Sequence, residues 1–431
     1  MRRVRLLAVL AIAAVLLVGC RPGDLDPTFG IGGLVKLKWP GSFEADIGDL
    51  IQEPSTGKLV ASAAVLIGDS TSFTIRFGLA RLTKKGTLDT SFGTGGYVDT
   101  DFGPDTGFRN LTLLPDGKIL AIGGVSEQTS TGFDSAIALA RYLPNGTLDT
   151  TFGAGGTTYT YFPGRQDAAT GRIALQGDGS IVVADRVGPD RGGDFALARF
   201  KPNGSVDTSF GVGGRLFTDL GGFDVPLGVV RQPDDKLLVV GISRPSISGS
   251  SQAVAMVRYN PDSSLDSSFG AGGKVLTSPG GRSYAVSGPT LQANGDIVLG
   301  GTSRVGVGDA EATLVRFLAN GSVDLSFGAS GVVLYNSSPN DIDYFGPAVL
   351  APGNKLVTAL NSAQFSAGLA RFNEADGSFD STFGSGGVVG PVPRESPQGL
   401  VVTPEGNIVV SKLRFTSTGN LKASGVNRYL G

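Results

Sequence analysis

The sequence predicts an all-β fold, a seven-bladed β-propeller of four-stranded antiparallel blades that is closed by pairing of its N- and C-terminal strands. Three observations predict it. A D-x-[ST]-F-G motif recurs seven times, an arginine recurs seven times, and the two ends of the chain are out of phase with the repeat. Because self-similarity at a fixed period is typical of stacked supersecondary units, we expect each repeat to bury its apolar faces against its neighbours.

The repeat is marked by three series of positions. The motif starts at Asp26, Asp89, Asp149, Asp207, Asp266, Asp324 and Asp380. The arginine stands at Arg81, Arg141, Arg199, Arg258, Arg316, Arg371 and Arg428. A turn before an apolar run is centred near Gly57, Gly117, Gly179, Asp235, Gly295, Gly353 and Gly406. Successive motifs start 56 to 63 residues apart, which leaves room for four short strands and their turns.

One repeat, residues 108–158, shows how four strands follow from the local sequence. Its apolar segments are Leu111–Leu114, Ile119–Ile122, Ala136–Tyr142 and Thr147–Phe152. P-D-G-K and P-N-G turns separate the first from the second and the third from the fourth. Proline suits the second position of such turns, and glycine accepts a positive φ. Four antiparallel strands joined in this way form one propeller blade.

The ends of the chain predict how the ring closes. The pattern begins at Asp26 without an arginine segment before it, and it stops at Arg428 without a D-x-[ST]-F-G motif after it. Each end lacks the half-repeat that the other supplies. We therefore expect residues 26–35 to pair with the strand that ends at residues 428–430, which also removes exposed strand edges.

The hairpin spacing predicts a repeated cross-strand ion pair. A three-residue P-N-G loop places Arg141 opposite Asp149, eight residues later. The predicted structural pairs are Arg81–Asp89, Arg141–Asp149, Arg199–Asp207, Arg258–Asp266, Arg316–Asp324 and, across the closure, Arg428–Asp26. Arg371 and Asp380 are nine residues apart, so that turn has one extra residue. An alternative interpretation has seven charges facing a ligand, but a role in one site seldom recurs in every repeat.

The N-terminal segment has the pattern of a signal peptide. Three arginines precede an uninterrupted apolar run, Leu6–Val18, which is short for a membrane span and typical of a signal h-region. The run ends in L-V-G-C, which resembles a bacterial lipobox, so lipidation is predicted at Cys20. The predicted organisation is a signal peptide at 1–19, a tether at 20–25 and a propeller at 26–431. Arg21 after the cysteine favours the outer membrane if the source is Gram-negative.

Composition excludes several classes of function. The first 19 residues carry three arginines and no acid, so the rest of the chain has 33 basic and 38 acidic residues, a net charge of −5. This balance argues against a nucleic-acid partner, which calls for a basic stripe. The chain has no histidine and one cysteine. That composition excludes histidine-based nucleophile systems and zinc sites, so we expect no cofactor, with calcium on carboxylates left open.

Carboxylates are the remaining candidates for catalysis, because a pair of them can cleave glycosides. Acids outside the repeat motif are Asp46, Asp49, Asp101, Asp105, Asp167, Asp190, Asp224, Asp309, Glu311, Asp341 and Asp343. Most surface acids only solvate loops. The sequence therefore favours a protein without enzymatic activity and leaves a carboxylate-dependent carbohydrate-active enzyme as the alternative.

The motif L-A-R-[YF]-x-P-N-G-[ST]-[LV]-D-x-[ST]-F-G-x-G-G stands most cleanly at Leu139–Gly156 and Leu197–Gly214. On these residues the chain resembles the delta-60 repeat family of bacterial β-propeller lipoproteins and, through the P-D-G-K turn, is distantly similar to NHL-type repeats. The resemblance covers nearly all of the chain after the signal segment. It implies a β-propeller and supplies no catalytic residues.

The loops that differ between repeats predict where a ligand binds, since binding residues tend to lie on variable loops of a rigid scaffold. These loops are Gly123–Asp134, Asp185–Asp194, Gly241–Gln252, Gly301–Ala310 and Ser411–Gly425. Candidate ligand-binding aromatic residues without repeat partners are Trp39, Phe102, Tyr159, Tyr161, Tyr284 and Tyr344. The hypothesis is a monomeric, non-catalytic binding protein of the cell envelope, anchored to a membrane through Cys20, with a protein or glycan ligand.

Overall fold

The computed structural model describes residues 21–69, 71–102, 106–129, 132–162, 172–188, 193–245, 251–305, 310–338, 342–362, 366–417 and 421–431. The predicted signal peptide and Cys20 lie outside these ranges. Strands account for almost all regular structure, with one short 3-10 turn at Pro279–Gly281. Among the described residues, no helix is both long and apolar enough to cross a membrane.

The strands of the first four blades follow each other along the chain. After β1 (Leu34–Leu37), blade 1 holds β2 (Ser42–Gln52), β3 (Leu59–Gly68), β4 (Phe73–Leu82) and β5 (Tyr97–Thr100). Blade 2 holds β6 (Thr106–Leu113), β7 (Ile119–Thr129), β8 (Gly132–Tyr142) and β9 (Thr157–Tyr161). Blade 3 holds β10 (Arg172–Leu175), β11 (Ile181–Val187), β12 (Asp194–Phe200) and β13 (Arg215–Thr218). Blade 4 holds β14 (Phe223–Arg231), β15 (Leu237–Arg244), β16 (Ala253–Tyr259) and β17 (Lys274–Thr277).

The last three blades complete the ring. Blade 5 holds β18 (Ser283–Leu291), β19 (Ile297–Arg304), β20 (Glu311–Phe317) and β21 (Val332–Tyr335). Blade 6 holds β22 (Tyr344–Phe345), β23 (Val349–Ala351), β24 (Lys355–Ser362), β25 (Ser366–Asn373) and β26 (Val388–Pro393), and β22 and β23 both pair with β24. Blade 7 holds β27 (Glu395–Val402), β28 (Ile408–Phe415) and β29 (Leu421–Tyr429), with β1 as its fourth strand.

The prediction of a closed seven-bladed propeller is confirmed. β1 pairs antiparallel with β29, from Leu34 opposite Asn427 to Leu37 opposite Ser424. The ladder therefore reaches two residues past the predicted range of 26–35. First strands of neighbouring blades contact each other, as β2 does β6 and β14 does β18, so these strands surround the ring axis.

The hydrophobic core lies between blades. One cluster joins Leu79 and Phe92 of blade 1 to Ile119 and Ala140 of blade 2, and all four are fully buried. The seven motif phenylalanines are each at most 1% exposed, at Phe29, Phe92, Phe152, Phe210, Phe269, Phe327 and Phe383. A blade cannot bury its faces alone, so the apolar residues of each repeat pack against the neighbouring blades.

In five of the seven repeats, the motif arginine links its own blade to the next one. Arg141 Nε donates to Asp149 Oδ2 at 2.8 Å, and its guanidinium carbon lies 4.5 Å from the centre of the Phe152 ring. Its Nη1 donates to the Pro202 carbonyl in blade 3 at 2.5 Å. Asp149 Oδ1 in turn accepts from the backbone N–H and the hydroxyl of Thr151. We call this arrangement of Arg, Asp and Phe the repeat lock.

The repeat lock occurs seven times. The Nε–Oδ2 distance is between 2.6 and 2.9 Å in every copy, including Arg371–Asp380 and the closure pair Arg428–Asp26. At the closure, Arg428 Nη1 also donates to the Lys84 carbonyl of blade 1 at 2.7 Å. All the Arg–Asp pairs that the hairpin spacing predicts are thus formed in the structure, and their aspartates are at most 8% exposed.

Candidate functional site

The inner strands of six blades share an irregularity partway along their length. Register shifts interrupt them between Ile47 and Leu50 in β2, Phe108 and Asn110 in β6, Pro226 and Gly228 in β14, Val286 and Pro289 in β18, and Pro397 and Gly399 in β27. In blade 6 the inner strand is divided into β22 and β23. Such bulges re-aim side chains and free backbone groups, and they are enriched beside functional sites.

Buried hydroxyls of the second strands satisfy several backbone groups that the bulges release. Ser62 Oγ accepts from the Asp49 N–H at 2.9 Å, and Ser411 Oγ donates to the Gly48 carbonyl at 2.8 Å. Thr358 Oγ1 donates to the Gly346 carbonyl at 2.8 Å. All three hydroxyl residues are fully buried. The irregular layer is therefore a supported part of the fold, as hydrogen-bond satisfaction of buried groups requires.

A cavity of about 490 Å³ lies at this layer and is lined by the inner strands of all seven blades. Five of the polar side chains that line it are Asp49, Asn110, Arg172, Tyr344 and Gln398. A second cavity of about 260 Å³ shares four of these residues, all except Tyr344, and extends along β2 towards Asp46. We call the five polar side chains the channel cluster.

Asp49 and Arg172 of the channel cluster cross between blades. Asp49 Oδ2 accepts from the Leu111 N–H of blade 2 at 2.9 Å. Arg172 Nε donates to the Leu227 carbonyl of blade 4 at 3.1 Å, and its Nη1 donates to Asn110 Oδ1 of blade 2 at 3.1 Å. The two side chains thus connect four consecutive blades at the axis and still face the cavity.

Burial controls the ionisation of two members of the channel cluster. It raises the pKa of Asp49, against the opposing effects of the Leu111 and Leu50 N–H groups and of the Arg172 charge. Burial also raises the pKa of Tyr344, so its phenol stays neutral and can donate a hydrogen bond. The cavity therefore offers one guanidinium, one phenol and two amides beside a carboxylate whose charged form is disfavoured.

Two of the candidate aromatic residues are buried, which contradicts their predicted exposure to a ligand. Trp39 is 1% exposed, donates from Nε1 to the Val98 carbonyl at 3.2 Å and packs on Tyr97. Tyr284 is also 1% exposed, and its hydroxyl donates to the Pro279 carbonyl at 2.8 Å. Both rings fill the blade-to-blade crossings, because these crossings need apolar volume where the repeat supplies none.

The other candidate aromatic residues do not form one platform. Phe102 is partly buried, with its ring centre 6.4 Å from that of Phe77. Tyr159 is 57% exposed and meets Tyr161 edge-on at 5.7 Å on β9, the outer strand of blade 2. Among these six residues, Tyr344 alone lines the central cavity.

The candidate acids also lie at different places in the molecule, and only some of them line a cavity. Asp46 and Asp49 line the second cavity, and Glu311 pairs with Arg282. Asp224 lies in a group with Asp194 and Asp219. Asp101 is 3.8 Å from Arg76, and Asp343 accepts hydrogen bonds from Ser337. Asp105, Asp167, Asp190, Asp309 and Asp341 lie outside the described residues, as do parts of all five variable loops.

Sequence reasoning did not single out Asn110, Arg172, Gln398, Asp194 or Asp219. The sequence distinguishes these residues only by their position outside the repeated motifs. Arg172 would have been the easiest of them to identify from the sequence, because it is a charged residue at the start of an otherwise apolar segment, R-I-A-L.

Five segments of the chain match a family model described as a domain of unknown function (DUF5122) beta-propeller. They are residues 55–92, 114–152, 176–210, 232–269 and 292–327. The matches support a β-propeller repeat family for this chain. A comparison with curated protein sequences finds no match.

Solved structures with the same general fold include the polysaccharide lyase Uly1, with a TM-score of 0.53 and 12% identity over 96% of this chain and 98% of that one. A protein of unknown function from Dyadobacter fermentans DSM 18053 has a TM-score of 0.46 and 13% identity, over 93% and 100% of the two chains. The Trypanosoma rangeli sialidase has a TM-score of 0.43 and 11% identity, over 89% and 54%. At 12% identity, the likeness to Uly1 shows the fold alone.

Proposed function

We propose that this protein is a cell-envelope lipoprotein that binds a glycan without chemical turnover, through the channel cluster and the variable loops around its mouth. The observation that carries the proposal is the channel cluster itself. At the bulge layer five of the seven blades each contribute one side chain to the channel cluster, and the five differ in type, although the scaffold repeats seven times. A repeated scaffold that presents unrepeated polar groups at one point is typical of a binding site.

The mouth that a ligand would enter is on the variable side of the ring. Inner strands begin where the chain crosses from one blade to the next, on the same side as the loops between second and third strands. The second cavity extends from Asp49 towards Asp46, nearer the start of β2, and also includes Leu413 near the end of β28. It therefore leads from the channel cluster towards the variable loops.

The chemistry of the channel cluster favours a hydroxyl-rich ligand that carries a carboxylate. Arg172 is suited to a carboxylate through its planar, charged donors. Asn110 and Gln398 can pair with hydroxyls, and the Tyr344 ring offers an apolar face with a polar tip. A cavity of about 490 Å³ admits a sugar unit or a chain end rather than a folded domain. An acidic oligosaccharide meets these conditions better than a protein surface.

Anchoring through Cys20 is part of the proposal. It is supported by the basic start, the apolar run Leu6–Val18 and the L-V-G-C ending of that run. An outer-membrane location is proposed for a Gram-negative source, because Arg21 rather than aspartate follows the cysteine.

A carbohydrate-active enzyme is the second candidate, and one observation favours it. Asp46 and Asp49 line the same cavity, and glycoside cleavage commonly uses two carboxylates of different pKa. Asp49, with its raised pKa, would be the acid. Turnover of an acidic oligosaccharide by the wild-type protein that is lost in Asp49→Asn would favour the enzyme over the binding protein.

A glycan array with neutral and carboxylate-bearing oligosaccharides tests the proposal, followed by titration of the best ligand. Arg172→Gln and Tyr344→Ala are expected to weaken binding at least about tenfold, because each removes a contact in a desolvated site. Tyr159→Ala is the matched control, since it truncates an exposed tyrosine away from the channel. If all three variants bound the ligand with the affinity of the wild type, a binding site in the channel would be contradicted. Selective retention of an envelope protein, unaffected by the channel variants, would replace the glycan with a protein partner.

A further inference from the structure

A group of three aspartates lies where blade 3 crosses to blade 4. Asp194 opens the third strand of blade 3, Asp219 follows the outer strand of that blade, and Asp224 is in the inner strand of blade 4. We propose that Asp194, Asp219 and Asp224 bind a calcium ion that ties the two blades together at this crossing.

The geometry of the three carboxylates fits one cation. One oxygen from each lies within 4.8 Å of the others. Calcium takes carboxylate oxygens at about 2.3–2.6 Å, so two ligands on opposite sides of the ion are about 5 Å apart. Asp224 is buried, Asp194 is partly buried and Asp219 is exposed. This gradient gives an ion a route from solvent to its deepest ligand.

A second observation concerns Asp224 alone. Its side chain is fully buried, and Oδ2 accepts from the Leu220 N–H at 2.9 Å. The Ser243 side chain is close by, yet Oδ1 is buried without a hydrogen bond of normal geometry. A buried carboxylate oxygen without a partner is costly, and a cation is the ligand that such an oxygen accepts.

Another buried aspartate, at the equivalent position of a different blade crossing, has protein partners for both of its carboxylate oxygens. Asp343 lies at the end of the crossing from blade 5 to blade 6, is fully buried and donates its N–H to the Ala310 carbonyl at 2.8 Å. The N–H of Asp224 donates to the Gly193 carbonyl in the same way at 2.7 Å. Ser337, however, satisfies both carboxylate oxygens of Asp343.

The charges around the two buried aspartates also differ. Near Asp343, Glu311 occupies the place that corresponds to Asp194, and Glu311 is paired with Arg282. Near Asp224, by contrast, one carboxylate oxygen of Asp194 and one of Asp219 lie within 4.8 Å of a carboxylate oxygen of Asp224.

Lys274 is the basic residue beside the aspartate group. Its Nζ donates to the Asp219 carbonyl at 2.9 Å, and its charge partly offsets those of the carboxylates. Three carboxylates and one ammonium leave a net charge of about −2, which a divalent cation neutralises.

Calcium titration of the full-length chain in mild detergent, after removal of divalent ions with a chelator, tests the proposal. Isothermal titration calorimetry with CaCl₂ is expected to give one ion per chain. Asp219→Asn and Asp194→Asn are expected to weaken binding at least about tenfold, because affinity follows the charge count of the ligands. Asp219 is exposed, so its variant tests the site without disturbing the core, whereas Asp224→Asn could unfold the crossing.

Asp343→Asn is the matched control, because it changes the equivalent buried aspartate, and it is expected to keep the wild-type calcium affinity. The midpoint of thermal unfolding is expected to rise with CaCl₂ in the wild type and not in Asp219→Asn. Absence of binding heat at about 10 mM CaCl₂, above the range of weak extracellular sites, would overturn the proposal. So would unchanged affinity in Asp219→Asn and Asp194→Asn, or an equal thermal shift with NaCl of the same ionic strength.

Discussion

The repeat lock and the channel cluster are two polar systems in one ring, and they differ in almost every respect. The repeat lock uses the same three residue types in seven copies, with nearly constant distances. The channel cluster uses five different side chains from five blades, and none of them repeats. Both systems bond one blade to the next.

The difference teaches how a repeat protein separates stability from specificity. In the repeat lock, each arginine pairs with its aspartate and lies over its phenylalanine ring, and five of the seven also donate to a carbonyl of the next blade, so these side chains are engaged within the scaffold. In the channel cluster, Asp49 and Arg172 bond to the backbone of other blades and still line a cavity. Stability should therefore respond mainly to changes at the repeat, and binding mainly to changes at the axis.

The largest effect is expected from opening the ring. Deletion of residues 422–431 removes most of β29, which pairs with both β28 and β1, together with Arg428 of the closure lock. Cooperative thermal unfolding, followed by circular dichroism, should be lost. The point variant Lys422→Ala serves as the control and should unfold like the wild type. If the truncated protein melts as the full chain does, closure through β1 and β29 does not hold the ring.

A core change within one repeat should come next. Phe152→Ala removes a fully buried ring that packs between blades 2 and 3 and lies under the Arg141 guanidinium. The expected loss in the free energy of unfolding is about 3–5 kcal/mol by chemical denaturation. Tyr159→Ala in the same blade is the control and should stay within about 0.5 kcal/mol. A loss below about 1 kcal/mol for Phe152→Ala would mean that this ring contributes little to the core.

Acid should weaken all seven repeat locks together. Burial opposes ionisation of the lock aspartates, but hydrogen bonds and the basic partners outweigh it and lower their pKa values, to about 2 for Asp380. A lowered pKa in the folded state gives stability that is present above the unfolded value, near 4, and is lost as the pH falls towards 2. Denaturant unfolding between pH 5 and pH 2 measures it.

The variant Asp149→Asn gives a matched comparison for the acid effect. It removes one titrating group of the seven, so its stability should depend less steeply on pH over this range than that of the wild type. A wild-type stability that stays flat or rises as the pH falls from 4 to 2 would contradict the role of the locks.

The channel cluster should contribute less to stability. Arg172→Lys keeps the charge but removes the two hydrogen bonds to Leu227 and Asn110, for an expected loss of about 1 kcal/mol. Glycan affinity, measured on the same preparation, should fall by a larger factor than stability does. A loss in stability comparable to that of Phe152→Ala would mean that the main role of Arg172 is structural.

The smallest effect on folding is expected at the proposed anchor. Cys20→Ser should leave the unfolding transition unchanged, because Cys20 precedes all the strands of the propeller. The variant should move from the membrane fraction to a soluble fraction and fail to incorporate a fatty-acid analogue during metabolic labelling. A variant that still sediments with membranes would contradict lipidation as the anchor.

Much of the fold could be predicted because its information is local. The eight-residue spacing of Arg141 and Asp149 follows from one hairpin, and the P-D-G-K and P-N-G turns mark where strands end. The out-of-phase ends implied the pairing of β1 with β29. Burial of Trp39 and Tyr284 was not predictable in this way, since an aromatic residue outside the repeat reads the same whether it fills a crossing or faces a ligand.

The blades, their number, their closure and the repeat locks could be inferred from the sequence, because these depend on neighbouring residues and on a period repeated seven times. The candidate site could be located only in the folded ring. Asp49, Asn110 and Arg172 are about 60 residues apart along the chain, and they meet because three inner strands converge at the axis, two of them with bulges that composition does not mark. Asp194 and Asp224 likewise meet only where one blade crosses to the next. Contacts of this kind depend on how complete blades pack, and packing is a property of the closed ring.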